Sequence, residues 1–324
     1  MGKAKVFVTR RLPEATLDRL APHCELEVWE DFLPPDYTTI KEKIRHRDGL
    51  LSLLTDRVDA RLMDAAPNLR VISNLAVGYD NIDVDAATER RIPVGNTPGV
   101  LTETTADFAF ALLMAVARRI PEAQTYIRDG NWRTWHPTVL SGQDIFGATL
   151  GIIGFGRIGQ AVARRAKGFN MTILVNTEEN KDKIQEIGAE EASFEKVLSE
   201  SDFVSMHVPL TETTQHMIGE RELALMKSTA ILINTARGSV VDGAALHKAL
   251  HRGDILAAGL DVTDPEPIPL DDPLLSLDNC LVVPHIASAS VATRAKMADM
   301  AADNLIAGLA GSHLPNCINP EVYA

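Results

Sequence analysis

Only three cysteines occur in 324 residues, Cys24, Cys280 and Cys317, and they lie far apart with no Cys-x-x-Cys among them. So odd and sparse a set excludes a disulfide framework, argues against a cysteine metal site and fits a reduced compartment. Long apolar runs are missing too. The densest, Phe108 to Ala117, is ten residues long, well short of the ~18–20 residues a membrane span needs. Basic charge is also scarce: 32 Lys and Arg stand against 44 Asp and Glu, for a net charge of −12. Proteins whose main partner is nucleic acid carry basic patches, so this balance argues against that class. It does not forbid a small anionic ligand, which a few local cations would decide. The amino terminus runs straight into Lys5-Val6-Phe7-Val8 without a signal-peptide pattern. Gly2 lacks the Ser or Thr at position 6 that myristoylation requires. The expected location is the cytoplasm, with no membrane and no metal.

What is present is an ordinary globular mixture, 45% hydrophobic and 23% charged, long enough for two domains with sizeable cores. The first hundred residues alternate short apolar runs with helical patterns. Strands are expected at Lys5–Thr9, Glu25–Trp29, Gly49–Leu54, Arg70–Asn74 and Pro93–Gly95. Helices are expected at Pro13–Leu20, Thr38–Arg45, Asp59–Ala65 and Asp83–Glu89. Such alternation implies a parallel sheet covered on both faces. Pro98-Gly99 breaks the pattern. Thr102 to Arg119 then reads as a helix apolar on nearly every side, which must be buried, either as a core helix or at a subunit interface. Residues 120–147, with Trp132, Trp135, Pro121 and Pro137, read as an irregular connection.

From residue 149 the alternation restarts. Strands are expected at Leu150–Ile153, Thr172–Val175, Phe203–Met206, Ala230–Asn234, Ala257–Asp261 and Cys280–Val283. Between them the helical stretches are Gln160–Lys167, Asp182–Ile187, Phe194–Glu200, Glu220–Met226 and Asp242–Arg252. This makes a doubly wound domain over 100–287. A last helix, Ala292–Ala310, has no sheet of its own and is expected to return to the first domain, which becomes discontinuous: 1–99 plus 288–324.

The most informative stretch is Thr-Leu-Gly-Ile-Ile-Gly-Phe-Gly-Arg-Ile-Gly-Gln at 149–160. Gly154, Gly156 and Gly159 form a G-x-G-x-x-G between an expected strand and an expected helix, the context of a dinucleotide-binding turn. The first glycine permits the tight turn and the second lets backbone approach a pyrophosphate. The third lets the helix pack closely. The helix amino terminus then offers unpaired N–H groups and partial positive charge to the phosphates.

Three polar residues each follow a strand of the same domain, and ligands bind outside the carboxyl ends of strands in such sheets. Arg237 follows Ile231–Ala236, Glu266 lies in Asp-Val-Thr-Asp-Pro-Glu-Pro, and His285 lies in Val-Val-Pro-His-Ile-Ala-Ser. This set suits a 2-oxo acid. A planar guanidinium pairs with a carboxylate and polarises the carbonyl beside it. An imidazole gives a proton to the alkoxide that forms as hydride arrives, and a carboxylate orients the imidazole. Singly, each residue has a plainer reading as a surface ion pair, a loop carboxylate or a structural histidine.

Taken together, the motifs resemble the D-isomer-specific 2-hydroxyacid dehydrogenases, and within them most closely the glyoxylate/hydroxypyruvate reductases. They are Asn-Leu-Ala-Val-Gly-Tyr-Asp (74–80), Leu-Thr-Glu-Thr-Thr-Ala-Asp (101–107), the glycine turn, Asn-Thr-Ala-Arg-Gly-Ser-Val-Val-Asp (234–242), Gly-Leu-Asp-Val-Thr-Asp-Pro-Glu-Pro (259–267) and Pro-His-Ile-Ala-Ser-Ala (284–289). The likeness spans essentially the whole chain. It implies an α/β fold of two doubly wound parallel-sheet domains, a Rossmann cofactor domain inserted into a flavodoxin-like substrate domain, with an interdomain cleft. Arg237 would anchor and polarise substrate, Glu266 support the histidine, and His285 serve as acid and base. Backbone N–H groups of Val77 and Gly78 would hold the substrate carboxylate. The resemblance further assigns to the cofactor Gly154, Gly156, Arg157, Ile158, Gly159, Thr105, Thr177, Glu178, Val208, Pro209, Thr235, Ala236, Asp261 and Ser288. Trp135 occupies the place of a tryptophan that reaches the partner's active site, which implies a homodimer.

Two departures stand out. NAD-preferring members carry an acidic residue at the end of the strand after the glycine turn, to bond the ribose 2′-hydroxyl, and NADP-preferring reductases carry a Ser-Arg or similar pair. Here the segment reads Val175-Asn176-Thr177-Glu178-Glu179-Asn180-Lys181. Two carboxylates would repel a 2′-phosphate, so NAD(H) is expected over NADP(H), unless Lys181 or Lys183 folds back. Ala287 stands where the family usually has glycine. The expected activity is reduction of glyoxylate and hydroxypyruvate with NAD(P)H. The alternatives are the same chemistry on phosphite, formate, phosphoglycerate or a bulkier oxo acid, or a cofactor-sensing corepressor on the same fold.

Overall fold

Short runs of Val, Ile, Leu and Phe, uninterrupted by charge, become parallel strands buried on both faces. A computed structural model describes residues 2–324, and contacts divide them into two units. One runs up to Leu101 and resumes at Ser290–Ala324; the other is Thr102–Ala289. Each boundary lies two residues beyond the one expected from sequence.

The first unit holds β1 (Ala4–Val8), α1 (Glu14–Leu20), β2 (Cys24–Val28), α2 (Tyr37–Lys43), β3 (Gly49–Ser52), α3 (Ala60–Asp64), β4 (Val71–Asn74), α4 (Val84–Glu89) and β5 (Val94–Gly95). All pairings are parallel, in the order β2-β1-β3-β4-β5, which is the flavodoxin-like order. Alternate side chains serve two cores. Phe7, Leu50 and Ile72 face Ile40, Leu62 and Ala87 from α2, α3 and α4, while Val6, Val8, Leu51 and Val71 face the other way. Three helices start on an aspartate whose carboxylate accepts from the backbone three residues on: Asp36 from Thr39 N, Asp59 from Leu62 N and Asp83 from Ala86 N.

The second unit opens with α5 (Thr102–Ala117) and α6 (Ile120–Arg128). Then follow β6 (Thr149–Ile153), α7 (Arg157–Lys167), β7 (Thr172–Asn176), α8 (Lys181–Ile187), β8 (Glu190–Glu191), α9 (Phe194–Glu200) and β9 (Phe203–Met206). Its last elements are α10 (Glu220–Leu225), β10 (Ile231–Asn234), α11 (Gly243–Arg252), β11 (Ala257–Leu260) and β12 (Cys280–Val282). The seven parallel strands run β12-β11-β10-β9-β6-β7-β8. Numbered within the unit this is 7-6-5-4-1-2-3, the doubly wound Rossmann order with one strand added. Helix α5 joins α7 over one face, with Ala106, Phe110 and Leu113 among Leu150, Ile152, Phe203 and Ile233. Of its two sequence readings, the core one describes it within this unit. The opposite face carries α9, α10 and α11.

Finally α12 (Val291–Leu309) closes the second core of the first unit, burying Met297, Ala298, Ala301 and Leu305 there. Its Ser290 cap accepts from Thr293 N at 3.1 Å.

Most elements begin or end within a residue or two of the expected limits. Two were missed. Helix α6 occupies part of the stretch read as irregular; it buries no residue, and Pro121 in its first turn reads as a breaker ahead of its short stripe of Ile120, Ala123 and Ile127. Strand β8 is two exposed glutamates at the sheet edge, too short and too charged to stand out.

Candidate active site

The glycine turn sits where β6 meets β9, the point at which strand order reverses. Gly154 has φ +90°, and a Cβ there would lie 2.7 Å from the backbone of His207. Only glycine satisfies both the angle and the approach. A Cβ on Gly159 would overlap the Gly154 carbonyl, so the third glycine lets α7 seat on the turn. Gly156, at the amino terminus of α7, is exposed with nothing within 4 Å of its absent Cβ. Its smallness therefore answers to no neighbour in the protein but leaves room beside uncapped helix N–H groups. A dinucleotide pyrophosphate fits that space. Thr235, at the end of β10, is 9% exposed, and its hydroxyl has no hydrogen-bond partner. A buried hydroxyl left unpaired is destabilising, and a polar group of a bound cofactor would satisfy it.

Beyond β11 and β12 the two chemical side chains meet: His285 Nδ1 lies 2.5 Å from Glu266 Oε1. The histidine has φ +52°, a left-handed conformation that a non-glycine residue holds only when its surroundings impose it. They do. His285 N donates to Asp261 O at 2.8 Å, Ile286 N to Asp261 Oδ1 at 2.7 Å, and Ala287 N to Asp261 Oδ2 at 2.9 Å. Asp261 is 1% exposed, and burial pushes its carboxyl above the usual range, against the pull of those two N–H groups. Sequence reasoning gave Asp261 to the cofactor and did not foresee that its carboxylate braces the histidine loop. Ala287, the departure from family glycine, is buried without disturbing that brace.

Arg237 follows β10 in a turn bracketed by the buried Asn234, whose Nδ2 donates to Arg237 O at 2.9 Å and whose Oδ1 accepts from Ala236 N at 3.0 Å. A Cβ on Gly238 would fall on the Thr263 backbone. That close approach seats the arginine turn against the loop leading to Glu266, and Ser239 Oγ, 2.5 Å from Asp264 Oδ2, ties the two together.

The other expected residues are distributed as follows. Thr105 is buried on α5, and Ser288 is buried three residues past His285. Val208 and Pro209 follow β9. Just before them stands a residue the sequence reading passed over, His207, whose Nε2 lies 2.8 Å from Ser205 Oγ. Burial pushes its imidazole down to about 4. Thr177 and Glu178 follow β7, with Thr177 Oγ1 donating to Glu179 O at 3.0 Å. Trp135 is 79% exposed. Val77 and Gly78 belong to the first unit, half-buried in the loop after β4.

Residues 110–287 match the family model described as D-isomer specific 2-hydroxyacid dehydrogenase, NAD binding domain. The chain belongs to that family. A glyoxylate reductase of Korarchaeum cryptofilum is 58% identical over 322 residues, covering 99% of this chain and 97% of the relative. One from Thermococcus litoralis is 52% identical, with 99% and 98% covered. Among solved structures, an NADPH-dependent glyoxylate/hydroxypyruvate reductase from Sinorhizobium meliloti, in complex with NADP and malonate, superposes with a TM-score of 0.88. It is 34% identical, and 99% of this chain and 98% of that one are covered. The D-2-hydroxyacid dehydrogenase fold is thus shared over nearly the full length, and with it an oxidoreductase chemistry that uses a nicotinamide cofactor on a small 2-oxo acid.

Proposed function

We propose that the protein reduces glyoxylate and hydroxypyruvate to glycolate and D-glycerate, with NADH as the preferred reductant. The observation that carries this reading is the Glu266–His285 pair held in a strained, braced loop outside the strands of the cofactor-binding unit. When bound, the reduced nicotinamide supplies hydride to the carbonyl carbon. Arg237 pairs with the substrate and polarises its carbonyl. Glu266 occupies Nδ1 of His285, so the proton on Nε2 is the one available to the oxygen that becomes the alcohol. The N–H groups of Val77 and Gly78 hold the carboxylate. Oxidation of the hydroxy acid runs the same transfers backwards.

The cofactor preference rests on the segment after β7. Glu178 would face a 2′-phosphate, and the two lysines that could offset it are engaged elsewhere. Lys181 Nζ lies 2.6 Å from Glu191 Oε1, and Lys183 Nζ lies 2.9 Å from Glu186 Oε1. The cytoplasm is the proposed location, on the strength of three unpaired cysteines, and a homodimer the proposed assembly. The test is initial-rate kinetics with NADH and NADPH against a panel of 2-oxo acids. The expected result is turnover of glyoxylate and hydroxypyruvate, with the higher kcat/KM for NADH. Turnover of neither acid overturns the activity. A higher kcat/KM for NADPH overturns the preference alone.

A further inference from the structure

In the first unit a row of polar residues follows the strand ends. Asn74, the last residue of β4, is fully buried, and Asn96, just after β5, is 9% exposed. Both side-chain amides point their donors at the loop 75–81. Asn96 Nδ2 donates to Val77 O at 2.8 Å, and Asn74 Nδ2 donates to Gly78 O at 3.1 Å. Just upstream, Thr97 N donates to Ala76 O at 2.9 Å. Three successive carbonyls are thus held from the buried side.

A trans peptide is planar, with its N–H directed opposite its C=O. Holding the carbonyls of Ala76, Val77 and Gly78 inward therefore turns the N–H groups of Val77, Gly78 and Tyr79 outward. Among the described residues none accepts a hydrogen bond from these three N–H groups. Val77 and Gly78 are half-buried and Tyr79 is exposed, so the donors emerge at the surface as a small concave set suited to an anion. Neither asparagine can swing away easily. Asn74 Oδ1 is engaged with Ser52 Oγ at 3.1 Å and its Nδ2 also with Asn81 Oδ1 at 3.2 Å. Asn81 in turn donates to Leu53 O and Asp56 O. The Asn96 carbonyl accepts from Asn304 Nδ2 at 2.9 Å.

We propose that Asn74 and Asn96 are positioning residues that fix the carboxylate-binding face of the 76–79 backbone, and so set the affinity for the oxo acid and not the rate of its reduction. The inference rests on the proposed function, in which Val77 and Gly78 take the substrate carboxylate. Asn96 is the cleaner probe, because its side chain makes a single hydrogen bond to the protein, the one to Val77 O.

The test measures Kd for oxalate, an unreactive dicarboxylate, by calorimetry on the NADH-saturated enzyme, together with KM and kcat for glyoxylate. Asn96→Ala, which loses the bond to Val77 O, and Asn74→Ala, which loses the bond to Gly78 O along with those to Ser52 and Asn81, should each raise both the oxalate Kd and the glyoxylate KM about tenfold or more, while kcat changes less than about threefold. Asn96→Asp, which sets an acceptor against the Val77 carbonyl, should be worse than Asn96→Ala. Asn319→Ala is the control for a merely structural amide. Asn319 is fully buried but bonds Val94 N, Ile92 O and Thr88 Oγ1, at the other end of β5. Its loss should lower Tm and leave the oxalate Kd unchanged. The inference is overturned if the folded Asn96 variants bind oxalate as the wild type does, or if kcat falls at constant KM. A wild type that neither binds oxalate nor reduces glyoxylate overturns the proposed function itself, and is told apart by that.

Discussion

At the scale of single residues, the left-handed backbone of His285 links structure to chemistry. A non-glycine residue at φ +52° carries strain of order 1–3 kcal/mol, and the Asp261 carboxylate and carbonyl hold it there through three backbone N–H groups. His285→Ala should lower kcat at least about a hundredfold, the usual contribution of general acid–base catalysis. NADH affinity, measured by fluorescence titration, should stay within about threefold, because the glycine turn is untouched. Near-normal turnover would remove His285 from the mechanism. His207 makes the opposite case, a histidine kept uncharged. Its folded pKa of about 4 lies below the ordinary 6.5, so the unfolded chain binds the proton first. Stability from this residue is complete above pH 6.5 and is lost as pH falls toward 4. Linkage puts the loss between pH 7 and pH 5 at no more than about 2 kcal/mol. Urea unfolding at both pH values should show His207→Gln losing less than the wild type by about that amount; equal losses would mean that His207 is protonated in the fold.

At the scale of elements, helix α12 shows how packing outweighs propensity. Gly308 lies in its last turn, where an alanine would ordinarily add about 1 kcal/mol of helix stability. Here the new Cβ would fall within the Val71 side chain on β4, and such overpacking costs about 1–3 kcal/mol. Gly308→Ala should therefore destabilise, with a lower urea midpoint, and Val71→Ala should recover part of the loss in the double variant. A more stable single variant would mean that β4 and α12 can part. The same contrast explains what was legible in the sequence. Strands such as Phe203–Met206 and the glycine turn announce themselves because burial on both faces leaves apolar runs between punctuating residues. Helix α6 is hard to read because Pro121 stands in its first turn and its apolar stripe, Ile120, Ala123 and Ile127, is short. Arg237, Glu266 and His285 could be found because each follows a strand of the cofactor-binding unit. The brace at Asp261, the neutral His207 and the amides of Asn74 and Asn96 could not, since the bracing carboxylate and both amides act on backbone groups of a folded loop and His207 acts through its burial. No local pattern records such a partner.

At the scale of the whole molecule, the second unit leaves a run of large apolar side chains in water. Ile120 and Ile127 on α6 are 55% and 56% exposed, and Trp132, Trp135 and Phe146 beyond it are 63%, 79% and 69% exposed. Single exposed apolar residues are ordinary, but one segment carrying five of them is the mark of an interaction surface. An amphipathic helix with no buried residue is also unstable in isolation, and packing against a partner is what stabilises such helices. The proposed homodimer would meet both needs, since a twofold arrangement would let each copy cover the other's segment. Sedimentation equilibrium should return twice the chain mass of 35.2 kDa. Ile127→Glu, which sets a charge into that surface, should shift the protein toward monomer. Trp135→Ala separates assembly from catalysis. If its indole completes the partner's active site, the variant should stay dimeric while kcat/KM for the oxo acid falls at least about tenfold, as expected for loss of a buried aromatic anchor. A fully active monomeric wild type would sink both claims, whereas a dimeric Trp135→Ala with unchanged kinetics would leave the dimer standing and confine the tryptophan to packing.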